Sequence, residues 1–100
     1  MPSFHVKIVA PTGTFYDGTA ESLVAPGELG SFGILANHAP MIAALTDGVL
    51  KIDAAGAITW LVVGPGVLEV SEGNVSVLAD RAEVAKNEED AHARLAAAHH

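Results

Sequence analysis

The sequence predicts an all-β fold, a two-layer antiparallel β-sandwich or flattened barrel that ends in a short C-terminal α-helix. Three observations carry this expectation. Turn signals built on Gly, Pro, Asn and Asp recur about every 8–12 residues as far as Leu78. Between them, apolar and polar residues alternate with the two-residue period of a half-buried strand. After Leu78 the composition changes to Ala, Glu and Asp, with helix-start signals.

The elements follow in chain order. Phe4, Val6 and Ile8 share one face of a first strand, with His5, Lys7 and Val9 on the other, and Pro11-Thr12-Gly13 ends it. Thr14 to Tyr16 reads as a short strand and Asp17-Gly18 as a hairpin turn. Ala20 to Ala25 is a third strand, stopped by Pro26-Gly27. From Gly27 to Leu45 the chain reads GELGSFGILANHAPMIAAL, with glycines at 27, 30 and 33. That spacing predicts a bent, compact loop rather than a helix or a regular strand. Its apolar patch, Phe32, Ile34 and Leu35, needs a cover, either its own domain or a partner.

Ala39 to Leu45 then reads as a strand, with Pro40 at its start, where a missing N–H is tolerated. Asp47-Gly48 turns the chain into Val49 to Asp53, with Leu50 and Ile52 on the inner face. Ala54-Ala55-Gly56 is the next turn. Ala57 to Val63 is strongly β-prone, with Trp60 at the sandwich edge or in its core. Gly64-Pro65-Gly66 is a corner. Val67 to Val70 and Val75 to Leu78 pair across Glu72-Gly73-Asn74. Arg81 to Lys86 reads as a polar connector. Asn87 is an N-cap, Asp90 completes a loose capping box, and Glu88 and Glu89 suit the helix dipole. The helix is short and marginal alone, so it must fray or dock. The domain division is therefore residues 1–82, the sandwich, and 83–100, the connector and helix. No structural role is assigned to His99 and His100.

Composition narrows the function classes. The net charge is −7, and before Ala79 the only Lys and Arg residues are Lys7 and Lys51. A phosphate footprint needs clustered cations, so nucleic acid is excluded and anionic lipid disfavoured. No apolar run approaches the roughly 18 residues of a spanning helix, so direct membrane insertion is not expected. Cys is absent, which removes disulfides and thiolate metal sites and fits the cytoplasm.

Catalytic signals are weak. His38 is the most interesting ionisable residue, but no HxH or HExxH spacing supplies further metal ligands. Two readings of it remain open, a turn histidine bonded to local backbone and an interface residue. Glu28 among glycines is no phosphate loop, since no Lys lies within reach in sequence. There is no Gly-x-Ser-x-Gly elbow. The scattered acids read as a solvated surface, so no catalytic site, metal or cofactor is expected.

Two segments stand out together. The first is Gly30-Ser31-Phe32-Gly33-Ile34-Leu35, followed by His38-Ala39-Pro40. The second is Gly66-Val67-Leu68-Glu69-Val70, followed by Asn74-Val75 and Leu78-Ala79-Asp80. In order and spacing they resemble the N-terminal β-sandwich domain of the epsilon subunit of bacterial F-type ATP synthase, called delta in mitochondria. The resemblance runs from about Phe4 to Ala82. It implies a non-catalytic central-stalk subunit in a hetero-oligomeric complex, peripheral on the cytoplasmic face of the bacterial inner membrane. Its partners would be the gamma subunit and the ring of c subunits, and its work the coupling of proton transport to ATP synthesis on other chains. The resemblance puts Glu28, Leu29, Ser31 and Phe32 towards the c ring, and His38, Met41 and Ala43 towards gamma. Some relatives bind ATP through an [Ile/Leu]-Asp-x-x-Arg-Ala motif. Here the nearest match places Glu88-Glu89 and His92-Ala93 at those positions, so nucleotide binding is not carried over. The family's longer C-terminal helices can block ATP hydrolysis, and weak or no inhibition of that type is expected here. The competing reading is a stand-alone ligand- or peptide-binding β-sandwich, which a deep pocket beneath Gly27 to Leu35 would favour.

Overall fold

A computed structural model describes residues 2–98, so His99 and His100 lie outside the described residues. The strands are β1 (Phe4–Ala10), β2 (Gly13–Ala20), β3 (Ser22–Gly27), β4 (Gly30–Leu35), β5 (Met41–Leu45), β6 (Gly48–Ala54), β7 (Ala57–Val63), β8 (Gly66–Ser71), β9 (Asn74–Ala79) and β10 (Ala82–Ala85). Helix α1 (Glu88–Ala97) follows. Hydrogen bonding runs β10-β7-β6-β3-β5-β8-β9-β1-β2, with β4 added on β3. Between β3 and β5 a single pair, Gly27 with Leu45, carries the ladder. The sheet folds at that point, so β4-β3-β6-β7-β10 faces β5-β8-β9-β1-β2.

The core lies between these layers and follows the alternation read from the sequence. Val6, Ile8, Leu23, Leu50, Ile52, Leu61, Leu68, Val75 and Val77 are all buried. Among the described residues the buried set contains no polar or charged side chain. Such a core gains from apolar burial and leaves no side-chain hydrogen bond to be satisfied inside.

Four expectations need correction. Asp17-Gly18 is not a turn: both lie inside β2, opposite Lys7 and Val6. The turn is Pro11-Thr12, where Pro cannot donate to a ladder and so closes the hairpin. Pro26-Gly27 does not stop the third strand, which runs to Gly27. Pro26 is tolerated because β3 changes neighbour there, from β6 at Ser22–Val24 to β5 at Gly27. The stretch Gly30–Leu35 is a regular strand rather than a bent loop, paired residue for residue with Ser22–Gly27. The polar connector contains β10, whose Ala82–Ala85 pair with Val63–Trp60 of β7. One ladder also departs from the antiparallel rule: β1 runs parallel to β9. These strands are far apart in sequence, so no hairpin constrains their direction.

Helix α1 starts at the expected N-cap, but Asp90 does not close the capping box: it accepts from Lys86, one residue before the cap, rather than from Asn87. The Asn87 side chain accepts the Asp90 N–H at 2.8 Å. Asp90 Oδ2 accepts the Lys86 N–H at 2.9 Å and the Arg94 Nε–H at 2.9 Å. Arg94 also donates from Nη1 to Glu83 Oε1 of β10 at 2.9 Å. Beneath the helix lies a second, smaller apolar contact. Val62 points away from the main core yet is buried, as is Ala91 of α1. The helix, packed on β7, β10 and β6, is what covers it. Trp60, half-buried on the same strand, carries Lys51 Nζ 5.5 Å from its ring centre.

Two predictions follow from this geometry. In the β6–β7 turn, Ala55 holds φ +55° with no glycine freedom. Ala55→Asn removes a left-handed strain and is expected to raise stability by about 0.5–1 kcal/mol, read as a higher urea midpoint at unchanged m. The Lys86 N–H, and then Arg94, hold the Asp90 carboxyl below its ordinary value of 3.8. Its folded value is depressed, so its support of the helix start is complete above that ordinary value. That support is lost as pH falls through the lowered one. The Lys86 amide shift is expected to titrate with this midpoint, and Asp90→Asn to abolish the titration.

Candidate functional site

The β3–β4 hairpin has a two-residue turn, Glu28-Leu29, between the paired Gly27 and Gly30. Gly27 allows a close approach. A Cβ there would stand 2.8 Å from the Gly30 carbonyl oxygen and 2.8 Å from the Phe32 ring. The turn is then tied to the opposite layer. Glu28 N–H donates to the Ala44 carbonyl at 3.1 Å, and Thr46 N–H donates to the Pro26 carbonyl at 2.9 Å.

These ties leave a groove of about 570 Å³ where the edges of the two layers part, between β4 and β5. Glu28, Leu29, Ser31 and Phe32 line one side, and Met41, Ile42, Ala43 and Ala44 the other. Phe32 and Met41 pack against the main core from its floor. Six of the seven residues singled out from the sequence therefore meet in one place. His38 does not. It lies past the other end of β4, beside Ser3, Gly73 and Val75, and its Nδ1–H donates to the Ala39 carbonyl at 2.7 Å. That bond is the one expected of a turn histidine, and the ring remains exposed.

Sequence reading missed a second surface. Across the outer face of the β5 layer, register aligns Ala44 with Val67, Val67 with Leu78, and Leu78 with Val9. Val67 is 45% exposed, Leu78 61%, and Ile42, two residues along β5 from Ala44, 73%. A contiguous apolar strip on the outside of so acidic a chain needs a reason. Its sequence signal was faint: Val67-Leu68 and Val77-Leu78 are apolar in both phases of the strand alternation. The next row, Ile42, Glu69, Ser76, Lys7 and Asp17, is mostly polar, with His5 Nε2 2.6 Å from Asp17 Oδ1.

Among the described residues, no three His, Cys, Asp or Glu side chains gather as metal ligands. Glu28 is the one ionisable group in the groove lining. No helix of the described residues is long and apolar enough to cross a membrane.

One mutation tests the packing of the groove. Gly27→Ala forces its methyl against an immovable carbonyl and the Phe32 ring. It is expected to cost about 1–3 kcal/mol in urea unfolding and to displace the Phe32 ring resonances.

Comparison with known proteins gives the chain its place. The family model for the ATP synthase delta/epsilon chain, beta-sandwich domain, matches residues 3–85. The ATP synthase epsilon chain of Acidithiobacillus ferridurans is 42% identical over 91 residues, covering 91% of this chain and 64% of the relative. That of Rhodopseudomonas palustris strain BisB5 is 42% identical over 80 residues, covering 80% of this chain and 59% of the relative. The chain thus spans less than two thirds of the length of these relatives. Among solved structures, a chain of the Euglena gracilis mitochondrial ATP synthase (OSCP/F1/c-ring, rotational state 1) superposes with a TM-score of 0.81 at 21% identity, over 98% of this chain and 62% of that one. A chain of the Tetrahymena thermophila mitochondrial ATP synthase central stalk and c ring gives 0.69 at 15% identity, over 79% and 64%. Those two likenesses speak to the fold, which is the same sandwich. By the match over residues 3–85, the chain belongs to the ATP synthase delta/epsilon family through its beta-sandwich domain.

Proposed function

We propose that this chain is a non-catalytic subunit of the central stalk of an F-type ATP synthase. In this reading it grips the gamma subunit and rests on the c ring, helping to couple proton transport to ATP synthesis at catalytic sites on other chains. It works from the cytoplasmic face of the bacterial inner membrane, as a peripheral part of a hetero-oligomer. The observation that carries the reading is the outer apolar strip of Ala44, Val67, Leu78 and Val9, with Ile42 beside it. A stalk subunit must transmit torque through packed contacts, and this face has apolar area to offer. Met41 and Ala43 alternate with Ile42 and Ala44 along β5 and so face away from that strip, and His38 is exposed past the far end of β4; their assignment to gamma rests on the family resemblance alone. Glu28, Leu29, Ser31 and Phe32 belong to the hairpin end assigned to the c ring. Family membership supports both assignments.

The groove supports a second reading, a stand-alone peptide-binding module, since two open strand edges flank it. One experiment separates the two. The chain is expected to co-purify with the gamma subunit, and Val67→Glu with Leu78→Glu to abolish capture. Thermal melting should fall only modestly: both side chains are exposed, and the two carboxylates, opposite each other across the β8–β9 ladder, repel in solvent. Absence of capture by the unmodified chain would overturn the stalk reading and leave the module.

A further inference from the structure

We draw no further inference here: the strongest candidate, the apolar groove between the open edges of β4 and β5, belongs to the site already described, and nothing in the structure shows what covers it.

Discussion

The fold depends on one corner, where β3 exchanges β6 for β5 as its hydrogen-bonded neighbour. A strongly twisted sheet of this many strands rarely stays open; it commonly closes or splits into packed layers. Here it bends at the single pair Gly27–Leu45. Three residues permit the bend. Pro26 sits where the ladder changes partner, so its missing N–H falls where the pairing is interrupted. Gly48 has no side chain, and the Pro26 ring occupies the space one would need. Gly27 lets the Phe32 ring close over it. The corner therefore makes the two layers and, in the same residues, the groove and the projecting turn.

A consequence is the separation of inside from outside. The interior is apolar throughout the described residues, with nothing in it that titrates. The two features described above, the outer strip of the β5 layer and the hairpin tip, lie on the surface. Both are fixed by backbone bonds rather than by flexible side chains.

Helix α1 is attached differently. Its buried contribution is small, essentially Ala91 over Val62, and the rest is an ion-paired chain from Glu83 through Arg94 to Asp90. Exposed pairs of this kind contribute little each, so the helix is held less firmly than any core strand. Arg94 is raised above its ordinary value, first by Asp90 and then by Glu83, so the guanidinium stays charged wherever the carboxylates do.

Local pattern alone was enough to place the chain in the all-β class and to locate most strands. Strict alternation at Phe4–Ile8 and Val49–Asp53 marks a buried face, and Asn87 marks a helix start through its own side chain. These are effects of neighbouring residues, so the sequence carries them openly. The strand Gly30–Leu35 was hidden because glycines weaken every local preference, and only the cross-strand bonds to Ser22–Gly27 make it regular. β10 was hidden because alanine is a weak strand former, and β7 supplies the missing order. The gathering of Phe32 with Met41, and the alignment of Ala44, Val67, Leu78 and Val9, were decided by register between distant strands. Register depends on how whole layers pack, and no window of neighbouring residues contains that information.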